Sequence, residues 1–343
     1  MIANRLKQIF KSLLTKWLLL IILMVITFFI SLFMGRYVIS PKTVMEILFN
    51  TGNSNGILPM ESSIVLGIRL PRTILSMLIG ASLSVAGVAY QGIFKNPLVS
   101  PDVLGVSSGA GFGAVLGILF FGMSSTTSIV AFFLGIVSVL ITYLFAKARN
   151  KVSMMSLVLS GMIVSSIFSA LISMVKYIAD PYDKLPAITY WLMGSFSKAT
   201  FVDVKLVFIP MTIGIIALNL IRWRINILSL GDEEAKSLGV NPSKIRMVAI
   251  VISTILTALS VTVVGIVGWV GLVIPHITRL IVGVNHKDLI PASCILGAIF
   301  LTVVDIMSRT ISSAEIPIGI ITALLGAPFF GFLLKRVNKS GEW

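Results

Sequence analysis

The sequence predicts an all-α membrane protein of about ten transmembrane helices with a weak inverted internal repeat. Of its 343 residues, 57% are hydrophobic and only 12% are charged, whereas a soluble domain carries about 25% charged residues. Its mean hydropathy is +1.03. The hydrophobic residues lie in long runs, and roughly 20 such residues in a helix cross a bilayer. We therefore expect one transmembrane domain over residues 1–343.

The spans follow one another as runs without charged residues. These runs cover residues 17–35, 73–94, 103–146, 152–175, 206–221, 247–278, 289–304 and 316–334. The 44-residue run contains the polar cluster GMSSTTS, which predicts a turn between two helices. In the 32-residue run, Gly268, Gly271 and Pro275 predict the end of one helix and the start of a shorter one. Splitting these two runs gives ten spans.

The distribution of basic residues predicts the orientation. The first run resembles a signal peptide, but it is longer than a signal h-region and has no small-residue cleavage site, so we expect it to stay as the first span. With the N-terminus in the cytoplasm, inner segments hold 17 of the 27 basic residues and outer segments hold nine, which agrees with the positive-inside rule. Both termini are then cytoplasmic. The basic residues are spread over loops without aromatic interleaving, which argues against a nucleic-acid partner.

An internal repeat is faintly visible. LSVAGVAYQGIF at 83–94 and LSVTVVGIVGWV at 259–270 share LSV and a glycine nine residues after the leucine. Five spans separate the two copies, so the two halves would have opposite topology, as in inverted-repeat transporters. Chance similarity between two apolar helices explains this pair of segments equally well.

Residues for catalysis, metal binding or ion coupling are scarce. No G-x-x-x-x-G-K-[ST] loop and no H-E-x-x-H motif occur, so no ATP binding by that route is expected. His276 and His286 lack companions at metal-ligand spacing, and His286 is expected to be a solvated loop residue. Asp305 is the one carboxylate that falls in a span, whereas ion-coupled carriers generally need buried ionisable groups. We expect no metal site, no cofactor and no enzymatic activity.

The longest inner loop, residues 222–246, is predicted to form two short helices. Asp232 and the two glutamates after it fill a first helical turn, and Gly239 stands where a C-terminal glycine belongs. Asn241 and Pro242 then offer an N-cap followed by a proline at the first helical position. Two structured helices in a cytoplasmic loop indicate a docking element; the alternative is an ordinary solvated amphipathic loop.

Several long motifs carry a resemblance to a known family. They are RLPRTILSMLIGASLSVAGVAYQGIFKNPLVSPDVLGVSSGAG at 69–111, YWLMGSF at 190–196, GDEEAKSLGV at 231–240, GIVGWVGLVIPHITRL at 265–280 and EIPIGIITALLGAPFFGFLL at 315–334. The chain resembles, over nearly its whole length, the permease subunits of the iron-siderophore, haem and vitamin B12 family of ABC importers, the FecCD type.

The resemblance implies an assembly around this chain in the cell membrane. Such permeases have ten helices, pair as homodimers or heterodimers within the membrane lipid, bind two cytoplasmic ATPase subunits and receive their substrate from an extracytoplasmic binding protein. Ferric siderophore complexes are the substrate expected first. The alternatives are cobalamin or haem and, from another class of protein, an ion-coupled secondary carrier.

The resemblance also implies roles for particular residues. Docking of the binding protein is expected at Arg69, Arg72 and Arg309. Coupling to the ATPase is expected at Gly231, Asp232, Ala235, Leu238, Gly239 and Arg246. A cytoplasmic gate is expected at Lys151, Val152, Ser153, Met154 and Met155. For the three arginines, anchoring of span ends at lipid headgroups is the alternative role.

Overall fold

The computed structural model describes residues 13–49, 59–148 and 151–340. Its helices, in chain order, are α1 Leu13–Phe33, α2 Pro41–Phe49, α3 Pro59–Phe94, α4 Val106–Phe121, α5 Ser125–Ala146, α6 Met154–Ile178, α7 Lys184–Leu192, α8 Phe201–Leu220, α9 Arg222–Leu228, α10 Asp232–Ser237, α11 Pro242–Val264, α12 Val270–Val282, α13 His286–Thr310 and α14 Ile318–Ser340. A 3₁₀ turn, Pro101–Leu104, precedes α4. The short strands β1 Lys147–Ala148 and β2 Lys151–Val152 form one antiparallel hairpin.

The all-helical membrane architecture predicted from the sequence is confirmed. Within the described ranges, seven helices are long and apolar enough to cross a membrane, namely α1, α3, α5, α6, α8, α11 and α13. Three further apolar segments are shorter: α4, α12 and the part of α14 over Ile318–Phe332. The ten-span count stays a prediction.

Both predicted breaks in the long runs occur. α4 ends at Phe121 and α5 begins at Ser125, so the GMSSTTS cluster does separate two helices. The second break lies at Gly265, whose φ of +76° is a left-handed conformation that favours glycine. The structure corrects one detail, because Pro275 lies inside α12 rather than at its start. The chain has already left the helix at Gly265, ten residues before the proline is reached.

α3 is the buried centre of the fold, and glycines set its distance from two neighbours. A Cβ atom added at Gly80 would lie 2.1 Å from the carbonyl oxygen of Gly297 on α13, and one at Gly87 would lie 2.0 Å from that of Gly271 on α12. Real Cβ atoms do not approach that closely. The helices can therefore pack at these positions only because neither side carries a side chain.

α4 and α5 pack along small residues spaced by four on α4. Gly109, Gly113 and Gly117 all face the backbone or small side chains of α5, as expected for small residues spaced by four. The internal repeat is not confirmed. Its first copy lies wholly within α3, whereas its second copy leaves the helix at Gly265.

Candidate functional site

Four of the residues singled out in the sequence lie close together at one end of the bundle. We call this end the outer end, following the predicted orientation. A π-helical segment, Ser63–Arg69, lies within α3 and ends at Arg69, and Arg72 follows one turn later. The last turns of α13 supply Asp305 and Arg309, and the loop between α13 and α14 supplies Glu315. We call these five residues the outer ion cluster.

Arg72 is the centre of the outer ion cluster. Its Nε donates to Asp305 Oδ1 at 2.7 Å. Its Nη1 donates to Glu315 Oε1 at 3.0 Å, and its Nη2 lies 3.0 Å from Glu315 Oε2. The guanidinium group thus donates through Nε to a carboxylate on a helix and through Nη1 to a second carboxylate on a loop, with Nη2 in an ion-pair contact with that second carboxylate.

The other two arginines fasten α1 to this cluster. Arg309 Nε lies 3.4 Å from Asp305 Oδ2, and Arg309 Nη2 donates to the backbone oxygen and the hydroxyl of Ser31, both at 2.7 Å. Arg69 donates to the carbonyl oxygens of Leu32 at 2.8 Å and Phe33 at 2.9 Å and also to that of Tyr37. The carbonyls of Leu32 and Phe33 belong to the last turn of α1, where helical partners are lacking, so Arg69 satisfies groups that would otherwise be unpaired.

The structure corrects the picture of three reachable docking cations. Arg69, Arg72 and Arg309 are only 3%, 3% and 5% exposed, because carboxylates and carbonyls within the chain already occupy their guanidinium groups. Arg69 and Arg72 also point to different partners, although they are three positions apart. Docking of a partner at these arginines stays a prediction, and it requires that this network open.

Sequence reasoning missed the partners rather than the arginines. Asp305 and Arg309 stand four positions apart on one helix, which is the spacing of an ion pair and could have been noticed. Glu315 lies 243 positions from Arg72, and no local pattern connects the two. Three guanidinium cations against two carboxylates leave the cluster with a net charge of +1.

At the opposite end, the loop of residues 222–246 forms a folded element. The first predicted short helix is present as α10, and a further helix, α9, which the sequence did not predict, precedes it. The second predicted helix, capped by Asn241, begins as expected but is not short. It continues as the span α11, because the apolar residues after Arg246 extend it into the core. Asn241 accepts from the backbone nitrogen of Lys244 at 3.1 Å, with Pro242 at the first helical position, as predicted.

A two-pronged ion pair joins α10 to α11. Arg246 Nη1 donates to Asp232 Oδ2 at 2.7 Å, and Nη2 donates to Oδ1 at 2.5 Å. These hydrogen bonds are the main cause that holds the pKa of Asp232 below its usual range, and the positive charge of Arg246 adds to the effect. The start of α10 is therefore held to the first turns of α11 by charge.

The other predicted coupling residues lie in α10 or directly beside it, and they differ in burial. Ala235 is fully buried against the body of the protein, whereas Leu238 is 56% exposed. Gly239 has a φ of +75° and ends the helix in the left-handed conformation, and Gly231 stands immediately before the helix. A short helix that is fastened on one side and presents a leucine on the other is suited to receive a partner.

α9 is fastened to the start of α13. His286 Nδ1 lies 3.2 Å from Asn226 Oδ1, and the backbone nitrogen of His286 donates to the same atom at 3.3 Å. Arg222 Nη1 donates to the carbonyl of Lys287 at 3.0 Å. The expectation that His286 is a solvated loop residue is wrong. It is buried, because α9 packs over the N-terminus of α13.

The predicted gate segment begins in the β1–β2 hairpin and continues into α6. Lys151 and Val152 form β2, and Ser153 caps α6 by accepting from the backbone nitrogen of Ser156 at 3.0 Å. Met155 is exposed, and Met154 lines a cleft of about 370 Å³ together with Asp232 and Arg246. The structure thus brings one end of the gate segment beside the ion pair of the coupling loop. The gate role stays a prediction.

Among the described residues, no three His, Cys, Asp or Glu side chains are grouped so that they could hold a metal ion. The described residues instead form ion pairs at the two ends of a helical bundle, and at one of these ends they also present an exposed leucine. Such features can bind proteins and transmit movement.

Comparison with known proteins identifies the family. The model of the FecCD transport family matches residues 22–336. The molybdate import system permease protein MolB of Haemophilus influenzae is 42% identical, with 94% of this chain and 96% of that protein covered. A probable iron chelatin transport system permease protein of Helicobacter pylori is also 42% identical, with coverages of 90% and 94%. A solved structure, assigned to the metal-chelate type of ABC transporter in an inward-facing conformation, is 41% identical, with a TM-score of 0.82 and coverages of 92% and 97%. The chain therefore belongs to the FecCD transport family and is a multi-pass ABC importer permease of the cell membrane.

Proposed function

We propose that this permease carries ferric siderophore complexes across the cytoplasmic membrane, driven by ATP that two separate ATPase subunits hydrolyse. It spans the membrane ten times with both termini in the cytoplasm, pairs with a second permease subunit and takes its substrate from an extracytoplasmic binding protein. The observation that carries the proposal is the fastened loop of residues 222–246. An ion-coupled carrier has no need for such a docking element.

The loop supports ATP-driven movement through its attachments. Asp232 and Arg246 tie α10 to the span α11, and Asn226 ties α9 to the span α13. A push on the exposed face around Leu238 would therefore reach two spans directly. In this mechanism the chain performs no covalent chemistry, and the two states of the path differ in which side is open.

The substrate is proposed from the relatives, and one of them favours a second candidate. The H. pylori relative is named for iron chelatin transport, whereas MolB, at the same identity, is named for molybdate import. Ferric siderophores and molybdate differ in size and charge. Molybdate is therefore the second candidate, and cobalamin or haem follow as further bulky cargoes.

An uptake experiment separates these candidates. Cells that depend on this permease are given ferric siderophore, molybdate or cobalamin, each labelled, with and without deletion of its gene. The proposal expects loss of siderophore uptake alone. Uptake should stop on ATP depletion and survive dissipation of the proton gradient. Loss of molybdate uptake alone would instead identify molybdate as the substrate. Uptake that depends on the proton gradient would refute the proposal that ATP drives transport.

A further inference from the structure

The two carboxylates on Arg72 differ in how firmly they are held. Asp305 stands in the helix α13, its side chain is 0% exposed, and Arg309 Nε lies 3.4 Å from its second oxygen. Glu315 stands in the loop between α13 and α14, and its side chain is 21% exposed. A rotation of the Glu315 side chain leads to water, whereas Asp305 could leave only if a helix moved. Glu315 is therefore the displaceable partner of Arg72.

We propose that Glu315 is a placeholder, which occupies on Arg72 the position that a carboxylate side chain of the docking protein takes when it arrives. Docking then proceeds by exchange of one carboxylate for another. The ligand class of this site is an Asp or Glu side chain on a protein surface. The inference rests on the proposed function, because it requires a binding protein that docks at the outer end.

Electrostatics explains why such a placeholder is needed. With Glu315 in place the outer ion cluster has a net charge of +1, and without it the net charge is +2, carried by guanidinium groups that are almost completely buried. Leaving a buried charge without its partner is strongly unfavourable. An exchange of carboxylates keeps the net charge constant, so Arg72 remains paired both before and after docking.

The loop that carries Glu315 connects the cluster to other helices. The backbone nitrogen of Ile316 donates to the carbonyl of Ser308 at 3.1 Å. At the start of α14, the backbone nitrogens of Ile318 and Gly319 donate to the carbonyls of Gly194 and Met193, both at 2.9 Å. Release of Glu315 removes the side-chain attachment of this loop to α3. Docking would thereby loosen the junction of α14 with the residues that follow α7.

A purely structural ion pair and a placeholder predict opposite effects on docking. If Glu315 only stabilises the fold, its removal leaves docking unchanged or weakens it. If Glu315 competes with the partner, the apparent dissociation constant is the intrinsic one divided by the fraction of chains in which Glu315 has left its position on Arg72. Removal of the competing carboxylate then strengthens docking.

The first experiment compares Glu315→Gln with a matched control, Glu46→Gln. Glu46 lies on helix α2 with its side chain 33% exposed and 3.9 Å from Lys42, so the control makes the same substitution, with the same change in charge, on the same predicted side. The importer is reconstituted with its ATPase subunits, and binding of the binding protein that copurifies with it is measured. Glu315→Gln should tighten binding by about three- to tenfold, and Glu46→Gln should leave it unchanged.

A third variant separates failure of the inference from failure of the proposed function. If Arg72→Gln weakens binding while Glu315→Gln has no effect or weakens it, docking at Arg72 stands and the placeholder is refuted. If Arg72→Gln leaves binding unchanged, docking at this cluster is itself refuted. Equal tightening by Glu315→Gln and Glu46→Gln would assign the effect to general charge and also refute the placeholder.

A second measurement needs no partner and covers a possible loss of folding in the glutamine variant. Hydrogen exchange is followed in lipid nanodiscs at the amides of Ile316, Ile318 and Gly319, with the amide of Val204 in α8 as the internal reference. Glu315→Asp keeps the charge but shortens the side chain. Both Glu315 variants should raise exchange at the three amides about tenfold and leave Val204 unchanged. Unchanged exchange in both variants would overturn the inference.

Discussion

The ion pair between Asp232 and Arg246 offers the most direct test of how the cytoplasmic loop works. Asp232→Asn keeps the size of the side chain and removes its charge, which weakens two hydrogen bonds of 2.7 and 2.5 Å. An exposed pair contributes about 0.2–1 kcal/mol, and two charge-assisted hydrogen bonds raise this value. Because the Asp232 side chain is 44% exposed, solvent screening reduces the gain again. We expect a loss of about 1 kcal/mol in the free energy of unfolding.

The pH dependence of this loss has a defined sign. Arg246 holds the pKa of Asp232 below its usual range, so the carboxylate binds its proton less readily in the folded state than in the unfolded state. A lowered carboxylate pKa contributes stability that is present above the unfolded value, about 3.9, and is lost as the pH falls through the folded value. The difference in stability between wild type and Asp232→Asn should therefore be constant from pH 5 to 8 and shrink below about pH 4.

The function of the pair is read from transport per ATP hydrolysed in proteoliposomes that contain the complete importer. Asp232→Asn should lower this ratio severalfold, because α10 would then move without carrying α11 with it. Glu233→Gln is the control, since Glu233 is the next residue and contacts Lys236 within α10 at 3.1 Å. A double-mutant cycle with Arg246→Gln should give a coupling energy of about 1 kcal/mol. Additive effects together with a wild-type transport ratio in Asp232→Asn would refute this account.

Three further predictions concern docking, orientation and packing. Leu238→Asp should abolish transport and ATPase assembly while the permease still inserts, because an unpaired charge at a buried contact costs several kcal/mol; copurification of the ATPase with normal uptake would contradict it. In a variant without the native cysteine, Ser197→Cys should react with a membrane-impermeant thiol reagent in intact cells and Ser229→Cys should not, and reaction of both would exclude the predicted topology. Gly87→Ala should lower the unfolding free energy by about 1–3 kcal/mol through overpacking, as measured by thermal denaturation in detergent, whereas Gly67→Ala, which has open space around it, should not.

Features that depend on near neighbours in the chain were predictable from the sequence. Asn241 followed by proline favours a helix start from local sequence alone, because the capping bond spans only three residues. The same holds for Gly239, whose left-handed conformation ends α10. The breaks in the long apolar runs were also predictable from local composition. One detail differs, because the break between α11 and α12 lies at Gly265 and not at Pro275.

Features that depend on distant pairs were not predictable. Arg72 and Asp305 are 233 positions apart and Asn226 and His286 are 60 positions apart. The sequence shows each of these residues as an isolated polar group in or beside a span, and burial requires a partner for each. It does not show which group is the partner. For this reason the arginines were recognised as functional candidates, while their burial and the role of Glu315 became visible only in the fold.

One helix, α13, contributes both to the outer ion cluster and to the attachment of the cytoplasmic loop. Its last turns carry Asp305 and Arg309 of the outer ion cluster, and its first residue, His286, holds α9 through Asn226. A helix of 25 residues is about 37 Å long at 1.5 Å per residue, which is sufficient to link the two faces of a membrane. α13 is one continuous helix between the two regions, with Pro291 in its second turn. A shift that an ATPase imposed on α9 would therefore reach the cluster that holds Glu315, and the proposed carboxylate exchange at the outer end would reach α9 by the same route.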